Sequence, residues 1–125
     1  MKKPLIMLIV MFFCLAGCSP SLNEKVIINL EIEKIDKIEV LDGKNGKTVV
    51  ITDQNTIKKI KNFLNEINVN KINDKELKGY QYSIKLIKNE KTINTITLIG
   101  NVLKIDNNYY LSEKKIDTNI LKELF

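Results

Sequence analysis

Apolar and polar positions alternate along much of this chain, and the alternation breaks once into a helical period. Val26, Ile28, Leu30 and Ile32 are spaced by two, which predicts a half-buried strand. Lys37 to Leu41 predicts a second, with Ile38 and Val40 on one side, and Thr48 to Thr52 a third. Between them Asp42-Gly43-Lys44-Asn45-Gly46 is a cluster of turn residues, so 37–52 reads as a hairpin. The period then changes: Ile57, Ile60, Leu64 and Ile67, with Phe63 beside them, lie on one face of a helix predicted from about Asp53 to Ile67. Thr52 or Asp53 can cap its start, and Lys58, Lys59, Lys61 and Asn62 fall on its wet side. The polar stretch 68–79 predicts an exposed loop.

From Tyr80 the period returns to two. Tyr80, Tyr82, Ile84 and Leu86 alternate, Asn89-Glu90 marks a turn, and 92–99, 102–106 and 109–112 read as strands of a meander with turns at Gly100-Asn101 and Asn107-Asn108. Asp117 then caps a short helix containing Ile120, Leu121 and Leu124. The fold class expected is α+β: a mainly antiparallel sheet, one long helix after the first hairpin, and a short C-terminal helix. If all three turns have two residues, Tyr80, Tyr82, Ile84, Leu86, Ile93, Ile99, Val102, Tyr109 and Leu111 share a face. Ile87, Ile96, Leu98, Leu103, Ile105 and Tyr110 then share the other. A sheet with one wet face does not carry two apolar faces. Three explanations are open: cover on both sides, a bulge near Gly100 that changes the register, or an apolar patch that receives a partner.

The N-terminal end follows another pattern. Lys2 and Lys3 precede an unbroken apolar run, Leu5 to Phe13, of the length of a signal-peptide core. A membrane-spanning helix needs about 20 apolar residues, and Ser19-Pro20-Ser21 ends the run too early. Leu15-Ala16-Gly17-Cys18 resembles a bacterial lipobox. That resemblance implies cleavage between Gly17 and Cys18, a diacylglycerol with palmitate-type chains on the Cys18 sulfur, and anchorage in the lipid bilayer at the extracytoplasmic face of the cell membrane. Two acyl chains give a stable anchor where one is marginal. The organisation expected is a signal peptide over 1–17, a lipidated tether over 18–25, and a single α+β domain over 26–125.

Removal of 1–17 leaves 108 residues, enough for one modest core. Cys14 leaves with the signal and Cys18 carries the lipid, so stability must come from packing without a disulfide. Every one of the 20 basic residues is lysine, and loss of Lys2 and Lys3 leaves 18 against 15 acidic residues. Arginine, the side chain for bidentate phosphate contacts, is absent, which argues against nucleic acid as a partner. The richness in Lys, Asn and Ile fits AT-rich codons and a low-G+C Gram-positive source.

No histidine is present, and no cysteine beyond Cys14 and Cys18. This leaves out histidine triads, thiol catalysis and the usual zinc sites. The pairs Glu31/Glu33 and Asp36/Glu39 read as solvated edge residues. Asp42–Gly46 resembles half a calcium loop, but Lys44 stands where an oxygen ligand belongs. Asp106-Asn107-Asn108 also carries oxygen donors, which the hairpin explains. No cofactor or metal is expected. Of the four tyrosines, Tyr80 and Tyr82 read as core or cross-strand packing. Tyr109 and Tyr110 are adjacent in a strand and must point to opposite faces, which makes Tyr109, with Leu111 beside it, the candidate contact site. The body, from Ile51-Thr52-Asp53 through Ile57, Ile60 and Leu64 to the hairpins and terminal helix, also resembles small lipoproteins of low-G+C Gram-positive bacteria. The function expected is a non-enzymatic, membrane-anchored binding or interaction module whose partner is an envelope protein or a wall component. The alternative is a small-ligand-binding lipoprotein with a pocket between sheet and helix.

Overall fold

The computed structural model describes residues 35–73 and 78–125, and the backbone of Lys25–Val26. The signal peptide, Gly17, Cys18, most of the tether and nearly all of the first predicted strand lie outside the described residues. Eight strands form one antiparallel sheet: β1 (Lys25–Val26), β2 (Lys37–Asp42), β3 (Thr48–Ile51), β4 (Val69–Ile72), β5 (Tyr82–Lys88), β6 (Lys91–Ile99), β7 (Val102–Ile105) and β8 (Asn108–Ser112). The spatial order is β1-β4-β8-β7-β6-β5-β2-β3. Two helices, α1 (Gln54–Asn65) and α2 (Asn119–Lys122), complete the α+β fold.

One apolar layer holds the helices to the sheet. Ile38, Val40, Ile51, Ile84, Leu86, Ile96, Leu98 and Leu103 are buried on the sheet side, and Ile57, Ile60, Leu64, Ile116 and Leu121 meet them from the helix side. No buried polar or charged residue interrupts this layer among the described residues. The helices therefore cover one face of the sheet, and no described element covers the other.

The helix after the first hairpin has 12 residues, not the longer span to Ile67 that the apolar stripe predicts. Its start is as expected: Asp53 Oδ2 accepts from the Thr56 amide at 2.9 Å and from the Thr56 hydroxyl at 2.8 Å. The last α-helical bond runs from the Glu66 amide to Asn62 O at 3.1 Å; the next amide, Ile67, donates to Leu64 O at 3.4 Å instead, and from this tighter turn the chain enters β4. Ile67 still packs against the core from this turn, which is why it keeps the helical spacing. The segment 68–79 is accordingly not all loop. Val69–Ile72 pairs with β8 on one side and β1 on the other, and Val69 is fully buried.

The two-faced meander resolves through a bulge, placed elsewhere than near Gly100. Leu86 pairs with Asn94 but Ile87 pairs with Thr92, so Ile93 is the extra residue. One extra residue exchanges the faces of everything beyond it. Ile84 and Leu86 thereby join Ile96, Leu98, Leu103, Ile105 and Tyr110 under the helices. Ile99, Val102, Tyr109 and Leu111 take the opposite face. Asn89 and Glu90 both have positive φ, 48° and 64°, the primed turn that fits a two-residue hairpin. The last hairpin turns at Asp106-Asn107 rather than Asn107-Asn108, with Ile105 opposite Asn108. The reason is Asp106: its amide donates to Thr95 O at 2.9 Å, and its carboxylate accepts from the Thr95 amide at 3.1 Å and from Asn94 Nδ2 at 2.8 Å. Tyr110 therefore pairs with Leu103 and not with Ile105. The pairing moves by one residue on each strand, so the facing of Tyr109 and Tyr110 is unchanged.

The Asp53 cap predicts a pH dependence. The Thr56 hydroxyl, then the Thr56 amide, hold the Asp53 carboxyl below its usual range. The cap's contribution is present above the ordinary value of about 3.9 and is lost as pH falls through the lower folded-state value. Asp53→Asn keeps a good capping side chain and removes this titration. Melting temperatures measured from pH 5 downwards should converge at the acid end, with the parent falling more steeply. An identical acid slope in both would show that the cap carries no such linkage.

Candidate contact surface

Strand β8 builds the site by alternation. Tyr110 turns towards the helices and packs on the core. Tyr109 and Leu111 turn to the helix-free face, as expected from their spacing. The register places Leu111 between Val102 and Asn70, and Tyr109 between Lys104 and Ile72; Ile99 lies opposite Val102 in the next pair of strands. Five apolar side chains from four adjacent strands, Ile72, Ile99, Val102, Tyr109 and Leu111, thus share one end of the open face. Leu111 is 40% exposed although it sits in the interior of the sheet order. Next to this group Ser83, Lys85, Thr95 and Thr97 occupy the same parity on β5 and β6, and Leu41, Val50 and the buried Ile87 lie further along the same face, towards the β2–β3 edge. An apolar group of this kind with a polar surround marks a contact surface.

Electrostatics around the patch are mild. Lys104 Nζ lies 5.5 Å from the centroid of the Tyr109 ring, a cation–π contact worth about 0.5–1 kcal/mol at an exposed site. It covers the ring's face and leaves Leu111 open. Next to Leu111, Asn70 Oδ1 is buried without a hydrogen-bond donor. Buried acceptors are ordinarily paired; this one is enclosed beside the apolar patch and is not open to a partner docking on it. Sequence reading missed Asn70 and Ile72, because a four-residue strand, Val69-Asn70-Lys71-Ile72, with two polar residues in the middle has no clear period.

The other candidates are absorbed by local structure. Asp42 Oδ1 accepts from the Lys44 amide and Asn45 Oδ1 from the Lys47 amide, each at 2.8 Å, so the calcium-like segment is a turn held by its own side chains. Asp36 Oδ2 accepts from the Asn89 amide at 3.0 Å and fastens the β5–β6 turn. Asp117 Oδ1 accepts from the Asn119 amide at 3.0 Å, although the residue at the α2 cap position is Thr118. The pair Glu31/Glu33 lies outside the described residues. Tyr82 is half-buried and stacks on Phe125, with ring centroids 6.4 Å apart; burial, then the charge of Asp42, raises its pKa. Tyr80 departs from the expected packing role: it is 41% exposed and lies against the turn at Gly43.

Between sheet and helices the side chains of Ile60, Leu64, Ile84, Ile96, Leu98 and Leu103 are fully buried, so that interface is filled. A groove of about 200 Å³ lies instead at the edge of the helix layer. Phe63, Ile67 and Ile116 line it together with Glu66, Lys114, Lys115 and Asp117. Among the described residues no helix is long and apolar enough to cross a membrane. No protein-family profile matches the chain, and neither the curated proteins nor the solved structures give a match.

Proposed function

We propose that this protein is a non-enzymatic lipoprotein, anchored through acylated Cys18 at the outer face of the cytoplasmic membrane. There it acts as an interaction module that holds an envelope protein or wall component against the open face of its sheet. The observation that carries the reading is the apolar patch of Ile72, Ile99, Val102, Tyr109 and Leu111 on the face that the helices leave uncovered. The lipobox Leu15-Ala16-Gly17-Cys18 supports the address. The tether expected between the anchor and β1 is short, which keeps the domain close to the bilayer. The second reading, a small-ligand lipoprotein, now rests on the groove lined by Phe63, Ile67 and Ile116 rather than on a pocket between sheet and helix.

The test has two arms in the native host. Metabolic labelling with a fatty acid should tag the parent and not Cys18→Ala, and the variant should leave the membrane fraction or fail to be processed. A photo-crosslinking side chain at position 111 should trap an envelope component that the same probe at position 122, on the helix side, does not. Equal labelling of Cys18→Ala sinks the anchor. Equal trapping at both positions, or at neither, sinks the contact surface.

A further inference from the structure

The sheet ends in a strand that no element blunts among the described residues. β3 is the last strand of the order, paired with β2 alone among the described residues. The bond from the Asp42 amide to the Lys47 carbonyl, 2.9 Å, fixes the phase of the β2–β3 ladder. Hydrogen-bonded and non-bonded pairs alternate in an antiparallel ladder. Lys47, Val49 and Ile51 therefore bond inward to β2, and the N–H and C=O groups of Thr48 and Val50 point away from the sheet. Soluble proteins guard such edges with lysine, proline, a bulge or a covering segment. β3 is Thr48-Val49-Val50-Ile51: uncharged, without proline, β-branched throughout, and in unbroken register with β2. Thr48 is exposed and Val50 is 54% exposed.

We propose that β3 is a homodimer edge, pairing antiparallel with β3 of a second copy about a two-fold axis at Val49. The chemistry that satisfies an open strand edge is another extended strand with outward amides two residues apart, and β3 itself supplies it. Thr48 of one copy pairs with Val50 of the other, and Val50 with Thr48. These two hydrogen-bonded pairs flank Val49 opposite its own symmetry mate. The interface is isologous, so the contact closes at two copies. Charge favours the antiparallel choice. Lys44 and Lys47 precede the strand and Asp53 follows it, so each basic end lies alongside the partner's acidic end, where a parallel pairing would align like with like. The axis stands perpendicular to the sheet. Both helix layers therefore fall on one side, and both Tyr109/Leu111 patches face the other way together. The inference does not depend on lipidation.

Sedimentation of the full chain in detergent, over a range of concentrations, should show a reversible monomer–dimer equilibrium. Val50→Lys puts a charge on the edge at an exposed position and should raise the dimer Kd by about tenfold or more, with the circular dichroism spectrum unchanged. Thr48→Lys provides the same test should Val50→Lys fail to fold. In a Cys14→Ser, Cys18→Ser background, Val49→Cys should form an intermolecular disulfide under mild oxidation. Opposed non-hydrogen-bonded residues bring their Cα atoms to about 4.5 Å, within disulfide reach. Lys122→Cys, remote from the axis, should not. A chain that stays monomeric to its solubility limit overturns the proposal. So does a dimer that the edge lysines leave unchanged, or cross-linking as efficient at 122 as at 49.

Discussion

Leu64→Ala is expected to lower the free energy of unfolding by about 2–5 kcal/mol, the range for removing a buried leucine side chain and leaving a cavity. Leu64 has no solvent exposure and lies on the apolar stripe of α1 with Ile57 and Ile60. A 12-residue helix is marginal in isolation. Its persistence therefore depends on this stripe meeting Ile84, Leu98 and Leu103 on the sheet. Without a disulfide among the described residues, nothing covalent compensates for the lost contacts. Chemical denaturation of parent and variant checks the figure. Lys59→Ala, on the exposed side of the same helix, is expected to stay within about 0.5 kcal/mol of the parent. Similar midpoints for all three proteins would mean that α1 does not hold the layer together.

Gly43→Ala is the second large effect, expected at about 1–3 kcal/mol. A Cβ built on Gly43 collides with the Tyr80 carbonyl oxygen and comes within 2.9 Å of Tyr80 Cδ2. The ring can swing away, but the carbonyl cannot. The Gly43 amide donates to Gln81 O at 2.8 Å and the Gln81 amide to Leu98 O at 2.8 Å, so the backbone around Tyr80 is tied to both the β2–β3 turn and β6. Accommodating one methyl group would separate the turn from the start of β5. The cause is steric, because Gly43 is not among the residues of positive φ. Gly46 makes the contrast. It has φ 72° and open space around a Cβ, so Gly46→Ala meets only the conformational penalty, about 1–2 kcal/mol for a left-handed residue. Denaturation midpoints of the two variants should fall on opposite sides of a double exchange: Gly43→Ser should be at least as damaging as Gly43→Ala, while Gly46→Asn should recover most of the loss at 46, since Asn tolerates that conformation. Recovery at 43 by any non-glycine residue would mean that the Tyr80 backbone yields.

What the amino-acid sequence by itself determined was local. The turn at Asp42–Gly46, the cap at Asp53, the stripe of Ile57, Ile60 and Leu64, and the opposite facing of Tyr109 and Tyr110 depend on chain sterics and on side chains a few residues apart. Those interactions are written into spacing. The tertiary structure decided how the strands were assembled. The bulge at Ile93 cannot be read from 86–94, because any of several residues there can be the unpaired one until both neighbouring strands are in place. The early turn at Asp106 depends on Thr95 and Asn94, eleven and twelve residues away. The end of α1 and the existence of β4 depend on β8, the strand that Val69–Ile72 joins some forty residues later. The same distinction runs through the candidate surface. Tyr109 and Leu111 were legible from alternation alone, whereas Ile72, Ile99, Val102 and Asn70 join them only through sheet order and register. These long-range pairings are chosen by the burial of a whole face at once, and no short window of sequence contains that free energy.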